Sequence, residues 1–248
     1  MRKKEIVEQK LGIPPDYQYK AIKSKNFFQS NWHRNKFNIL KKYIQSDRNK
    51  TYLDLGPGSG NFESMFSQDL KKIVAIDYND QAVKFVKKRM RNENIRNVEV
   101  HSKDIRDIEN MHFKEKFDGL VIVDVIEHIS LKDARKLVKR LKKILKKGAK
   151  IYVITPNYKS TWLLIERILD NLTIVPKFNN EQHLAKYYKE NLHNLFTSQG
   201  MSVDFIKSFN LFSYMMPSRL LSKLLLQLEL SLPIAFGNLL IGVFTVEK

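Results

Sequence analysis

The sequence predicts an α/β fold built on a mostly parallel sheet. Short apolar runs alternate with segments of helical period over residues 51–157, as expected for repeated strand–helix–strand units. A glycine-dense turn follows the first apolar run, and the second run ends in Asp77. This combination is typical of sheets that bind a nucleoside-type ligand beyond the carboxyl ends of their strands.

Length and composition favour one large globular domain. The chain has 248 residues, of which 43% are hydrophobic, with 9 glycines and 7 prolines, so neither a disordered chain nor a fibrous repeat fits. Because there is no cysteine, disulfides, thiolate metal sites and a cysteine nucleophile are excluded. The first ten residues are charged and lack the apolar stretch of a secretory signal, so we expect a cytoplasmic protein.

The chain is strongly basic. Its 44 lysines and arginines against 26 acidic residues give a net charge of +18, which attracts a protein to RNA, DNA or acidic lipid headgroups. Many of the lysines lie in helical segments such as residues 139–147, where solvated charge is the ordinary outcome. Charge alone therefore leaves nucleic acid, lipid and simple solvation as open interpretations.

Hydrophobic periodicity places the core elements in order. The predicted strands are residues 51–55, 72–77, 98–101, 117–123 and 150–155, and the predicted helices are residues 61–68, 80–91 and 131–147. The last helix is the clearest, because Ser130 and Asp133 have capping-box spacing and Gly148 follows as a stop.

Further elements are predicted on both sides of this core. The aromatic and basic residues 17–44 are expected to form helices that cover the ligand site. Helices are predicted near residues 160–172 and 188–199, followed by a strand at residues 203–207. Residues 238–246 are predicted to form the last strand, antiparallel to the strand at residues 203–207.

The decisive motif lies in residues 51–62, TYLDLGPGSGNF. Glycines in such a turn permit tight backbone angles and let a ligand approach closely. Asp77 ends the neighbouring strand, where a carboxylate can accept hydrogen bonds from both hydroxyls of a ribose. A dinucleotide fingerprint requires its third glycine at the position of Asn61, whereas here the glycines are spaced G-x-G-x-G, which disfavours NAD.

Preceded by Asp54, this glycine pattern resembles motif I of the class I methyltransferases that depend on S-adenosylmethionine (SAM). The resemblance implies a Rossmann-like, seven-stranded, doubly wound sheet, mostly parallel with an antiparallel last strand. It divides the chain into an N-terminal helical lid over residues 1–50 and a methyltransferase domain over residues 51–248. Within that domain, residues 216–232 would form an apolar cap helix.

The same resemblance implies which residues bind SAM. Residues 117–129 resemble motif IV of the quinone-biosynthesis-like (type 11/23) group, and residues 152–157 resemble the end of its fifth strand. By this likeness Asp54 and the glycines hold the amino-acid end of SAM, Asp104 accepts from the adenine amino group, and Ile105 packs on the ring. The implied cofactor-binding set is Asp54, Gly56, Gly58, Gly60, Asp77, Tyr78, Asp104, Ile105 and Asp124.

Glu127, His128 and His183 are the candidate catalytic residues. Methyl transfer from a sulfonium needs mainly alignment, with a base only when the acceptor is a protonated, poor nucleophile. Asp124, Glu127 and His128 form a D-x-x-E-H spacing that resembles the metal-holding E-x-x-E-H of some quinone O-methyltransferases. In the alternative that we favour, there is no metal, Glu127 caps a helix start and His128 packs.

The C-terminal third contains a leucine-rich helix. Leucines in residues 220–230 cover well over half of its circumference, more than a surface helix usually shows. Core packing, a homodimer interface and a peripheral membrane contact with a lipid-like acceptor all remain open. Residues 230–246 are too short and too interrupted by proline and glycine to cross a membrane.

The sequence thus predicts a SAM-dependent methyltransferase that acts on a small-molecule or lipid-like acceptor. One alternative is an RNA methyltransferase, which the basic charge favours, although no RNA-binding appendage is recognisable. The other is a methyltransferase-like binding protein without turnover, which the intact glycine turn and Asp77 disfavour.

Overall fold

The computed structural model describes residues 14–160 and 183–247 of the chain. They form a seven-stranded sheet in the order β3-β2-β1-β4-β5-β7-β6. The strands are β1 Asp47–Leu55, β2 Leu70–Asp77, β3 Val98–Ser102, β4 Phe117–Val123, β5 Leu145–Pro156, β6 Met201–Phe209 and β7 Leu239–Val246. The helix predicted near residues 160–172 lies outside the described residues, apart from its first residue.

Seven α-helices are described. They are α1 Tyr17–Lys23, α2 Phe27–Tyr43, α3 Asn61–Phe66, α4 Asp80–Asn92, α5 Leu131–Ile144, α6 Lys189–Thr197 and α7 Arg219–Ser231. Three short 3₁₀ helices span Ile105–Asn110, Ile126–His128 and Ser213–Met215.

Strand directions confirm the predicted fold class. Strands β1 to β5 pair in parallel, whereas β7 runs antiparallel to both β5 and β6. All seven predicted strands are present, and β1, β5 and β6 are each at least four residues longer than predicted. The carboxyl ends of β1, β2, β4 and β5 therefore meet at one edge of the sheet.

Two apolar layers cover the two faces of the sheet. Alternating strand residues separate them, so that Leu120 and Ile122 pack with α5 and α6 on one face while Val121 packs with α2, α3 and α7 on the other. This period of two is the consequence of strand geometry. The sheet is doubly wound, as predicted.

The end of α5 corrects one prediction. The helix ends at Ile144 rather than Lys147, and the chain continues directly into β5. Leu145 is buried in the core and aligns with Phe117, so the last apolar position of the helical pattern is used by the strand. Gly148 is not a helix stop. It lies inside β5 with φ +77°, where the register against β4 shifts.

Among the helices of residues 14–160 and 183–247, none combines the length and apolar character needed to cross a membrane.

Candidate active site

The glycine turn connects β1 to α3 and has little free space. Gly56, Gly58 and Gly60 have φ values of +80°, +53° and +73°, a region that favours glycine. A Cβ on Gly56 would lie 2.2 Å from Val125 Cγ2, and one on Gly58 would lie 2.7 Å from Gln18 Oε1. The turn is therefore enclosed by the loop after β4 on one side and by α1 on the other.

Asp54 and Asp77 lie near the ends of adjacent strands, as predicted. Both side chains are buried, and Asp77 Oδ1 accepts a hydrogen bond of 2.9 Å from the backbone nitrogen of Asn79. That bond fixes the carboxylate at the tip of β2. Tyr78 follows directly and is half-buried. The structure thus brings Asp54, Asp77 and the glycine turn together at one edge of the sheet.

Glu63 is a buried acidic residue that the sequence analysis missed. Its side chain is 0% exposed on the first turn of α3, and neither oxygen meets a donor in hydrogen-bonding geometry among the described residues. Its neighbour is the carboxyl of Asp54. Burial raises the pKa of Glu63 to about 7, and burial together with Glu63 raises the pKa of Asp54. Two touching carboxyl groups are compatible only when one of them keeps a proton.

The adenine-side candidates make structural contacts of their own. Asp104 caps the 3₁₀ helix by accepting from the Arg106 backbone nitrogen at 2.8 Å, and its carboxylate also pairs with the Arg106 guanidinium at 2.7 Å. Ile105 is buried in the core with Ile108. The predicted adenine contacts of Asp104 and Ile105 stay predictions.

Asp124 forms an ion pair with an N-terminal helix and lies outside the group of ligand atoms formed by Glu127, His128 and His183. Its φ is +54°, one carboxylate oxygen pairs with the buried Lys36 ammonium of α2, and the other oxygen has no partner among the described residues. His33 lies beside this pair, and burial, followed by the charge of Lys36, lowers the pKa of His33 to about 3. The D-x-x-E-H spacing therefore does not form one cluster.

Lys36 and His33 lie beside the candidate site and were not predicted individually. A pattern could have indicated Lys36, because it falls between Trp32 and Leu40 on the inward stripe of α2. A lysine among inward apolar positions indicates a buried partner.

Glu127, His128 and His183 do form a cluster. Their nitrogen and carboxylate ligand atoms all lie within 4.8 Å of one another, and the two imidazole centroids are 5.1 Å apart. The Ala185 backbone nitrogen donates to the Glu127 carbonyl oxygen at 3.0 Å, which holds the segment after His183 against the 3₁₀ helix. Thr155 Oγ1 donates to Glu127 Oε2 at 3.0 Å.

The protonation states of the cluster are shifted by burial. Burial raises the pKa of Glu127 to about 7, whereas burial and then His128 lower the pKa of His183 to about 4. His183 is therefore neutral at physiological pH. Its Nδ1 hydrogen-bonds with the hydroxyl of Tyr158, a residue that the sequence analysis did not select.

The comparison with protein families decides the identity. Residues 46–200, well over half of the chain, match a family model described as a methyltransferase domain. The chain belongs to this methyltransferase-domain family. The sequence prediction of a SAM-dependent class I methyltransferase is thereby confirmed at the level of family and fold.

Solved methyltransferase structures share the fold of this methyltransferase. N-methyltransferase NodS of Bradyrhizobium japonicum WM9, in complex with S-adenosyl-L-homocysteine, is 13% identical with a TM-score of 0.56, covering 88% of this chain and 87% of its own. A SAM-dependent methyltransferase of Clostridium acetobutylicum is 14% identical with a TM-score of 0.58, covering 86% and 91%. One from Methanosarcina mazei is 17% identical with a TM-score of 0.57, covering 84% and 97%.

Among curated proteins, none matches the methyltransferase significantly. SAM carries a sulfonium and an ammonium group. Asp54, Glu63 and Asp77 place three buried carboxyl groups beside the glycine turn. Even with one proton kept by the Asp54–Glu63 pair, these groups carry net negative charge, and buried negative charge suits a cationic ligand, so the residues present fit SAM.

Proposed function

We propose that the protein transfers the methyl group of SAM to a nucleophile of a small or lipid-like acceptor held beside Glu127, His128 and His183. One observation carries the proposal: this cluster lies at the same sheet edge as the glycine turn. Val125, two residues before Glu127, is in contact range of Gly56. A donor on the turn and an acceptor beside the cluster would therefore be neighbours.

The cofactor side is formed by the strand ends. Asp54 and the glycine turn would hold the amino-acid end of SAM, and Asp77 would accept hydrogen bonds from the ribose. Tyr78, Asp104, Ile105 and Asp124 complete the proposed set. When bound, SAM supplies an activated methyl group for an in-line displacement, so that the protein contributes mainly alignment.

On the acceptor side, His183 is the proposed base, with His128 as the second candidate. In the tautomer whose Nδ1–H donates to the Tyr158 oxygen, Nε2 keeps a lone pair that can take an acceptor proton. A pKa of about 4 keeps the imidazole unprotonated at neutral pH. Glu127 orients the cluster in its ionised form, which its pKa of about 7 makes dominant only above neutrality.

We also propose that α1 and α2 act as a lid. Ser59 Oγ of the glycine turn donates at 2.8 Å to the carbonyl oxygen of Pro15, just before α1, and Lys36 of α2 pairs with Asp124 in the loop after β4. These contacts hold the N-terminal segment against the glycine turn and against the loop after β4. Such a cover would exclude water from the transferring methyl group.

An RNA acceptor is the alternative that the net charge of +18 favours. Retention on RNA that falls steeply with salt would support it. A cytoplasmic location, with or without peripheral membrane contact or self-association, belongs to the same proposal.

The catalytic assignment is tested by removing each histidine. Acceptors are first sought by incubating the protein with radiolabelled SAM and extracts of lipid, phenolic compounds or RNA. On the labelled fraction, His183→Ala or His128→Ala should lower turnover by about 10² or more if that residue is the base, with SAM affinity within a few fold. His193→Ala, at an exposed histidine on α6, is the matched control and should change neither.

Chelation then separates a base from a metal site. A metal-dependent enzyme would stop with chelator and recover with Mg²⁺ or Zn²⁺, whereas a base-only enzyme would not respond. Full turnover in both histidine variants would show that alignment alone drives the reaction and would overturn the assignment.

A further inference from the structure

Helix α7 has two distinct faces. Ser222, Leu226, Glu229 and Leu230 are buried against the rest of the protein. The opposite side, here called the leucine face, consists of Leu220, Leu221, Leu224, Leu228 and Leu232, which are between 49% and 67% exposed. At 100° per residue the four of these positions that lie within the helix fall within about a third of its circumference, and Leu232 follows directly after the helix ends. The leucines thus form one continuous apolar strip directed at solvent.

The leucine face has basic but no acidic neighbours on its own helix. Glu229 is turned inward, where it accepts 2.8 Å hydrogen bonds from the backbone nitrogens of Phe212 and Ser213. It is the only acidic residue in positions 208–246. Lys223 is exposed at the border of the leucine face, and Arg219 is exposed at the N-terminal end of the helix, on its inward side. The charge of Arg219 also contributes, after burial, to lowering the pKa of Arg34 on α2, so a second guanidinium lies nearby.

Exposed apolar residues also flank α7 along the chain. Phe212 and Met215 precede α7 and Phe236 follows it, with exposures of 56%, 40% and 65%. The hydrogen bond from the Phe212 backbone nitrogen to Glu229 holds that residue's backbone at the inward side of the helix. The leucine face itself is the continuous strip, and soluble monomers rarely expose such a strip unless it binds a partner.

We propose that the leucine face docks on an anionic membrane surface, with the leucines entering the headgroup region and Arg219 and Lys223 contacting acidic headgroups. An apolar strip bordered by cations suits such an interface. A second copy of this chain is disfavoured as the occupant, because each copy carries a net charge of +18 and would bring cations against cations.

Helix α7 lies in a connection that begins and ends at the sheet edge of the proposed active site. The connection that carries α7 leaves β6 at Phe209 and enters β7 at Leu239, which pairs with Pro156 at the carboxyl end of β5. The leucine face therefore belongs to the segment that starts and ends at the edge carrying the proposed active site. Membrane binding through this face does not require methyl transfer.

Vesicle binding tests the proposal on the whole protein. Wild type should co-sediment with vesicles of phosphatidylcholine and phosphatidylserine, and much less with phosphatidylcholine alone. Leu224→Glu with Leu228→Glu should lower binding at least tenfold. The matched control is Leu131→Glu with Lys132→Gln, which removes the same net charge at an exposed leucine on α5, on the other face of the sheet. This control should retain more of the binding than the leucine-face variant.

Two further measurements separate loss of membrane contact from unfolding and from added negative charge. The neutral pair Leu224→Gln with Leu228→Gln should also reduce binding while keeping a cooperative melt. Because the chain has no cysteine, an environment-sensitive label on Leu228→Cys should shift to shorter wavelength on anionic vesicles, whereas one on Leu131→Cys should not.

Three outcomes would overturn the proposal. One is a folded wild type that does not bind anionic vesicles at low salt. Another is equal loss of binding in the leucine-face variant and its charge-matched control, which would leave only general electrostatics. The third is a wild-type dimer that the leucine variants dissociate without any vesicle binding, which would assign the face to a second copy.

Discussion

Some ionisable side chains are buried at positions where the sequence pattern predicts exposure. Asp54 and Asp77 could be predicted because acidic residues at adjacent strand ends face one ligand site. Glu63 could not, because an acidic residue in the first turn of a helix is ordinarily exposed, where it favours the helix dipole. In this structure Glu63 is instead buried against Asp54, where the ionised form is disfavoured.

The buried Glu63 predicts a particular dependence of stability on pH. Its pKa is raised from an ordinary value of 4.5 to about 7, so the folded state holds a proton that the unfolded state loses. Stability should therefore fall as pH rises from about 4.5 to 7. Glu63→Gln lacks this loss, so it should be more stable than wild type by about 1–3 kcal/mol at pH 8 and by almost nothing at pH 4.

Denaturant unfolding at several pH values measures this difference. Glu93→Gln is the control, because the pKa of Glu93 is shifted in the opposite direction. Its partial burial is outweighed by hydrogen bonds from Arg89 and Ser64, which lower the pKa of Glu93. Its ionised form is favoured by folding, so this variant should lose stability at neutral pH. A pH-independent difference between Glu63→Gln and wild type would contradict the protonated pair.

Helices and strands were predicted well where a hydrophobic period or a motif marks them. They were predicted less well where a tertiary contact determines the end of an element or the face that it buries. Periodicity located α5 but placed its end too late, because the pairing of Leu145 with β4 ends the helix. The leucine pattern of α7 was evident, but only packing shows that Leu226 faces the core and Leu228 faces solvent. Likewise, Tyr158 and His183 meet only through the folding of distant segments.

Two glycines with left-handed backbones differ in the space around them. Gly56 and Gly148 both have left-handed backbones, with φ of +80° and +77°, but a Cβ at Gly148 would meet nothing within 4 Å. Gly148→Ala should therefore cost only the backbone strain, about 1 kcal/mol. Gly56→Ala adds the clash with Val125 and should cost about 2–4 kcal/mol.

Thermal and denaturant unfolding of both variants checks the comparison. Val125→Ala in the Gly56→Ala background should recover part of the loss, because it removes the clashing methyl groups. Equal costs at the two glycines, or no recovery, would show that the turn is not enclosed in the way described.

For the whole molecule, the alternation of strands and helices was sufficient to predict a doubly wound sheet and the edge at which the site lies. The fold places the glycine turn, Asp77 and the Glu127–His128–His183 cluster at that edge. Neither the acceptor nor the use of the basic charge follows from the fold, because many functions share one architecture. SAM binding at Asp77 is accordingly the central claim for the site.

Calorimetric titration with SAM tests this claim most directly. Wild type should bind SAM, and Asp77→Ala should bind at least tenfold more weakly, because it loses two charge-assisted hydrogen bonds of about 1.5–3 kcal/mol each before water compensates. Asp80→Ala, at an exposed acidic residue three positions further on, should leave the affinity unchanged. Unchanged SAM affinity in a folded Asp77→Ala, or tight NADH binding by wild type, would contradict the account.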